Sequence, residues 1–147
     1  MRANFHWLLI PHRAIAFLIF KEDMMSKASI ILVDDEEDVL PEYQEMLEIA
    51  GMDALISADP EQAFAMVCGN AGIELVVTDL RMARLDGAGL ICKLRDALPA
   101  RNLRFIVITG DATVPHDPAE IGGRVLLKPV DRAELIAAVT AALSERV

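Results

Sequence analysis

The chain has 147 residues, 54% of them hydrophobic and 25% charged, and carries a formal net charge of −9. Such a length and composition suit one globular domain with a sizeable core and exclude an intrinsically disordered chain. The acidity argues against non-specific nucleic-acid binding, which needs clustered Lys and Arg to meet phosphates.

Residues 1–27 differ in character from the rest and read as an N-terminal extension to a domain over 28–147. The stretch from Trp7 to Phe20 is apolar but broken by Pro11, His12 and Arg13. A membrane-spanning helix needs about 20 apolar residues, so no stable membrane insertion is expected. A secretory signal would also need a small-residue cleavage site after an unbroken apolar core. Three readings stand: a natural start at Met24 or Met25, an amphipathic arm that docks on a partner, on the domain itself or on a membrane surface, or a true anchor.

From residue 30 onward, strand-like and helix-like patterns alternate five times. Ile30 to Val33 is a strand, and Glu36 to Ala50 a helix with Val39, Tyr43, Leu47 and Ala50 on one face, closed by Gly51. Pro41 is tolerable only in a first turn, so this helix should start late or bend. Asp53 to Ser57 is a short strand. Asp59-Pro60 then sets an N-cap and a proline at the first helical position, opening a helix that runs to about Cys68. Glu74 to Thr78 is the third strand, and the helix after Asp86-Gly87 carries Leu90, Ile91, Leu94 and Leu98 up to Pro99. Arg104 to Ile108 is nearly all apolar, as befits a strand buried on both faces.

Residues 110–122, with Pro115, Pro118 and Gly122-Gly123, are the least regular stretch. Arg124 to Leu127 is the fifth strand. The last helix opens with Asp131 as N-cap and Glu134 at capping-box spacing, and turns Leu135, Val139 and Leu143 inward. The pattern predicts an α/β fold, a doubly wound five-stranded parallel sheet of (βα)5 type with helices on both faces. With only a helix after Lys128, no DNA-binding output domain is expected there. Cys68 and Cys92 lie in apolar helical patterns without metal-ligand spacing and read as reduced core residues, which suits a cytoplasmic protein. His6, His12 and His116 have no ligating neighbours and read as surface residues.

Five polar residues stand where apolar runs end: Asp34, Asp35, Asp79, Thr109 and Lys128. In a parallel sheet the carboxyl ends of the strands meet at one edge, where ligands bind. Three carboxylates there repel one another unless a cation lies among them. Mg²⁺, a hard oxygen-seeking ion, is the natural candidate, with Lys128 as a second and fixed positive charge. Side chains of consecutive strand residues diverge, so Asp34-Asp35 offers one direct ligand and one that acts through water. A carboxylate beside such an ion can attack a phosphoryl group, while Thr109 and Lys128 stabilise the transferring oxygens. The plainer reading of Asp34-Asp35 is a cap for the first helix. Arg81 and Asp111 sit two residues after Asp79 and Thr109, and are expected to approach each other and limit water access to the site.

These residues resemble the receiver domain of two-component response regulators over about residues 28–146. The resemblance rests on Ile-Leu-Val-Asp34-Asp35-Glu36, Val-Val-Thr-Asp79-Leu-Arg-Met82, Asp86-Gly87, Ile-Val-Ile-Thr109-Gly110 and Leu-Leu-Lys128-Pro129, in that order. It implies a flavodoxin-like receiver fold, with Asp79 as phosphoacceptor, Thr109 as switch hydroxyl and Lys128 as phosphate-binding lysine. It further implies Mg²⁺ held by Asp35, Asp79 and the backbone carbonyl of Arg81, with Asp34 acting through water. The implied donor is a histidine kinase or histidine phosphotransfer protein, and the implied output is a downstream protein target. The protein would then be a single-domain signalling or phosphorelay protein that catalyses its own phosphotransfer and slow dephosphorylation, not an enzyme with a separate substrate. A cis peptide is often found before the proline of the Lys-Pro pair.

Three departures accompany the resemblance. Ala83 replaces the proline usual after Met82, which is expected to loosen that loop. Val125 stands where an aromatic switch residue is usual. The stretch between Thr109 and Lys128 is a few residues short and its prolines disfavour a regular fourth helix, so the usual output face should be remodelled. Two rivals follow: a pseudo-receiver that signals without phosphorylation, and a phosphatase of the haloacid-dehalogenase type. The latter wants Asp-x-Asp in its first motif, whereas Asp34-Asp35-Glu36 has Glu third.

Overall fold

The structure, a computed structural model, describes residues 28–114 and 123–145. Strands β1 (Ile30–Val33), β2 (Ala54–Ser57), β3 (Leu75–Asp79), β4 (Arg104–Thr109) and β5 (Arg124–Leu127) form one parallel sheet in the order β2-β1-β3-β4-β5. Helices α1 (Val39–Ile49), α2 (Pro60–Gly69), α3 (Gly87–Ala97) and α4 (Arg132–Ser144) complete the described elements. Residues 1–27, with His6 and His12, lie outside the described residues, as do His116 and the rest of 115–122. Among the described residues no helix is long and apolar enough to cross a membrane.

Because strand side chains alternate, each central strand serves two cores. Ile30, Leu32, Leu75, Val77, Ile106, Ile108 and Leu126 pack on one face against α1 and α4. Ile31, Val33, Val76, Phe105 and Val107 pack on the other against α2 and α3. Burial on both faces explains why β1, β3 and β4 are continuous apolar runs. The order of strands reverses between β1 and β3, and that reversal opens the crevice into which Asp34, Asp35 and Asp79 are delivered.

Helix α1 does start late, at Val39, which places Pro41 in the first turn, where a missing N–H costs no helical bond. Its buried face is Leu40, Tyr43 and Leu47, while Ala50 is exposed as the C-cap and Gly51 takes φ 79° to end the helix. The capping aspartates Asp59 and Asp131 behave as expected, and Asp86, which sequence reasoning did not single out as a cap, joins them. Asp59 accepts from Glu61 N–H, Asp86 from Gly89 N–H and Asp131 from Glu134 N–H. The two cysteines do not: Cys68 and Cys92 are exposed free thiols, each one position past a buried residue, Val67 and Ile91. Sequence reasoning also missed Arg101, whose guanidinium donates to the carbonyls of Val67 in the last turn of α2 and of Asn70 and Ile73 beyond it.

One glycine is dictated by the crevice itself. The Gly87 N–H donates to Leu80 O at 2.8 Å, drawing the start of α3 onto the end of β3. A Cβ at Gly87 would lie 2.4 Å from the Asp79 carbonyl oxygen. Gly87→Ala is therefore expected to destabilise the fold by about 1–3 kcal/mol in urea unfolding, the usual cost of overpacking. Gly69→Ala is the control: its Cβ meets nothing within 4 Å, so stability should hold or rise slightly.

Candidate functional site

Strand parity sorts the five polar residues. Asp34 continues the row of Ile30 and Leu32, Asp79 that of Leu75 and Val77, and Lys128 that of Leu126, all on the α1 and α4 side. Asp35 and Thr109 continue the opposite rows. The geometry follows this division. Lys128 Nζ lies 3.4 Å from Asp34 Oδ2 and 3.4 Å from Asp79 Oδ1. One ammonium thus braces two buried carboxylates on different strands. Asp34 Oδ1 accepts from the Glu36 N–H at 2.9 Å, so both oxygens of Asp34 are engaged. That bond is also what remains of the helix-cap reading, since Asp38 and not Asp34 or Asp35 stands at the N-cap of α1.

Asp35 is exposed, and its Oδ2 accepts from the backbone N–H of Ala83 at 3.2 Å. This tie corrects the expectation that Ala83 loosens the loop: unlike proline, alanine has an N–H to donate, and here it fastens the loop to Asp35. Thr109 is buried, and its Oγ1 accepts from the Asp111 N–H at 3.2 Å. Arg81 and Asp111 do approach each other, Nη2 to Oδ2 at 2.5 Å. Both line an open cleft of about 560 Å³ together with Asp79, Thr109 and Lys128. The peptide bond between Lys128 and Pro129 is cis.

The electrostatics of the pocket are unbalanced. Burial, then the charge of Asp34, pushes the Asp79 carboxyl above its ordinary range, and Lys128 only partly offsets them. For Lys128 burial works against the charged form, yet Asp34 and Asp79 outweigh it and hold the ammonium above its usual value. Tyr43, placed by sequence only in the core face of α1, reaches this field as well. Burial pushes its phenol up, Lys128 opposes that, and Asp34 and Asp79 add to it. Asp111 is held below its ordinary value by the hydroxyl and N–H of Thr113, with Arg81 adding to them.

Asp34, Asp35 and Asp79 each offer a carboxylate oxygen, all within 4.8 Å of one another. A set of hard oxygens, one of them pushed toward protonation by burial and by the charge of Asp34, fits a divalent cation such as Mg²⁺. Among the described residues no other group of acids, histidines or cysteines has this form.

A doubly wound α/β domain with a lysine-braced acidic pocket at its strand reversal is the class these features define. A family model, the response regulator receiver domain, matches residues 30–140, and the chain belongs to that family. The C4-dicarboxylate transport transcriptional regulatory protein DctD of Rhizobium meliloti is 33% identical over 93 residues, covering 63% of this chain and 19% of that protein. The probable transcriptional regulator ycf27 of Porphyridium aerugineum is 30% identical over 128 residues, covering 74% of this chain and 52% of that protein. The chain thus spans about a fifth to a half of the length of these curated relatives. A response regulator receiver protein from Pseudomonas putida superposes with a TM-score of 0.69 at 31% identity, over 78% of this chain and 97% of that one. Receiver domains generally accept phosphoryl groups from histidine kinases and bind Mg²⁺ at an acidic pocket.

The raised carboxyl of Asp79 has a stability consequence. With its folded pKa above the unfolded one, the native state holds the proton more tightly, and stability falls as pH rises from about 4 through the raised value. Metal-free Asp79→Asn is therefore expected to melt a few degrees above wild type at pH 7, with the gain shrinking toward pH 4. Mg²⁺ should raise the wild-type melting temperature and narrow the difference. Equal melting of the two metal-free proteins at pH 7 would contradict the charge imbalance.

Proposed function

We propose that Asp79 accepts a phosphoryl group from a phosphohistidine donor, a cytoplasmic histidine kinase or histidine phosphotransfer protein, and that the domain thereby passes a signal to a protein target. The observation that carries this reading is Lys128 Nζ at 3.4 Å from both Asp34 and Asp79. An ammonium so placed holds the acceptor carboxylate while remaining beside the cleft the phosphoryl group would enter.

In the transfer, an Asp79 carboxylate oxygen attacks phosphorus, the P–O bond forms, the P–N bond of the donor breaks and the leaving imidazole takes a proton. No general base is needed where Lys128 and a bound cation hold the attacking carboxylate in its ionised form. Mg²⁺ would be held by Asp35, Asp79 and the Arg81 carbonyl, with Asp34 acting through water, and would supply positive charge to the transferring oxygens. Lys128 supplies a second positive charge, and the hydroxyl of Thr109, whose lone pair already accepts from Asp111 N–H, keeps its proton free to donate. Regeneration is hydrolysis, in which water attacks phosphorus and releases phosphate from Asp79. The domain catalyses steps on itself and turns over no separate substrate.

Incubation with a small phosphodonor and Mg²⁺ should add the mass of one phosphoryl group. Asp79→Ala, or removal of Mg²⁺ by chelation, should abolish the gain. An unmodified wild type would favour an interaction module that signals without phosphate, and rapid release of phosphate from a phosphomonoester would favour a phosphatase.

The Arg81–Asp111 pair stands at the mouth of this cleft and restricts the approach of water to the aspartyl phosphate. Arg81→Ala is expected to shorten the lifetime of phosphorylated protein severalfold, read as loss of phosphoryl mass with time. An unchanged rate would leave the pair as a solvated loop contact.

A further inference from the structure

We infer that the backbone N–H of Ala83 is a positioning group for the Asp35 carboxylate, and that it sets the affinity of the acidic pocket for its divalent cation. The role rests on the reading of Asp34, Asp35 and Asp79 as a cation site.

Among the three carboxylates, Asp35 is the exposed one, with the fewest restraints. Asp34 is fixed from both sides by Lys128 and the Glu36 N–H, and Asp79 is buried against Lys128. Asp35 has one partner among the described residues, the Ala83 N–H at 3.2 Å from Oδ2, and Oδ1 is left to accept from elsewhere. Without that partner two effects would turn the side chain outward. The like charges of Asp34 and Asp79 repel it, and an unrestrained χ1 spreads over about three staggered wells. The N–H counters both, because it is a charge-assisted donor fixed in space by the backbone.

The donor is itself well anchored. Leu80 N–H bonds Ile108 O at 3.1 Å at one end of the loop, and Gly87 N–H bonds Leu80 O at 2.8 Å at the other. Met82, just before Ala83, is buried among α2 and α3 residues. Between these fixed points, the bond to Asp35 is the one hydrogen bond that residues 82–85 make among the described residues. It links the loop that leaves β3 to the residue that leaves β1, across the strand reversal. The link depends on a backbone atom, so the residue type matters only through whether it has an N–H.

Proline is the one substitution that deletes the donor and leaves the side chains of the pocket untouched. Ala83→Pro is expected to weaken Mg²⁺ binding about tenfold in calorimetric titration of the full chain, the lower end of what loss of a supporting contact costs a metal site. Ala83→Gly, which keeps the N–H, should bind within about twofold of wild type by the same argument. Folded Ala83→Pro binding as tightly as wild type would overturn the role, and so would Ala83→Gly weakening as much as proline. If Ala83→Pro does not fold, the wild-type amide resonance of Ala83 decides. Its shift on Mg²⁺ titration should exceed those of Arg84 and Leu85, and a stationary resonance would overturn the role. Wild type that binds no Mg²⁺ would remove the cation site itself, an outcome distinct from the failure of Ala83 alone.

Discussion

Everything in this domain is arranged around an electrostatic deficit: three carboxylates gathered within 4.8 Å and one ammonium to hold them. Two unit charges 4 Å apart interact by about 4 kcal/mol at the effective dielectric near a protein surface, so neither the repulsions nor the attractions are small. Lys128, at equal distance from Asp34 and Asp79, removes the worst of the repulsion, yet burial and the charge of Asp34 still hold the Asp79 carboxyl above its ordinary range. A pocket fully neutralised by its own side chains would have no use for a cation or a phosphoryl group. A pocket with no lysine would not hold two buried carboxylates together. The partial balance lets two buried carboxylates stand together and still leaves the pocket suited to a further cation.

The sheet makes this arrangement possible by parity. Each polar residue continues an apolar row into the crevice, so the packing of Leu32, Val77 and Leu126 beneath it determines the direction from which Asp34, Asp79 and Lys128 enter. The loops then supply backbone donors that side-chain packing does not provide. Glu36 N–H holds Asp34, Ala83 N–H holds Asp35 and Asp111 N–H holds Thr109. Gly87 lets α3 start directly against the Asp79 carbonyl, which shortens the distance over which that loop has to be held.

The strands and the five site residues were legible in sequence for one physical reason. Strands buried on both faces are unbroken apolar runs, and a charged residue at the end of such a run has only the sheet edge to occupy. The late start of α1 was legible too, because proline leaves few options. Cys68 and Cys92 were misread because a cysteine beside Val67 or Ile91 shares the composition of the apolar stripe without sharing its azimuth. Ala83 was misread for another reason: residue-type comparison registers the lost proline ring and overlooks the gained N–H. Tyr43 and Arg101 act through tertiary placement, one into the field of the pocket and one onto the end of α2, and periodicity carries no signal for either.

The mouth of the cleft is built differently from its floor. Asp111 is tied to Thr113 by bonds of 2.9 and 2.6 Å and to Arg81 at 2.5 Å, while its own N–H reaches Thr109. It therefore touches both the exposed charge of Arg81 and the buried hydroxyl of Thr109. The Arg81 side chain is 77% exposed, and an ion pair so open to water is weak whatever its length. The bonds within the loop, from Thr113, do most to hold the Asp111 carboxyl below its ordinary range, and Arg81 adds to them. Arg81 can thus leave without unravelling the loop, whereas any movement of Thr109 pulls on the backbone of Asp111 directly. Val125, in the place of an aromatic, is partly buried against the α2–α3 core, and the Thr109 hydroxyl is reached instead by the backbone N–H of Asp111. Thr109 O also accepts from the Lys128 N–H at 2.8 Å, so a movement of Thr109 is felt both at Asp111 and at the end of β5.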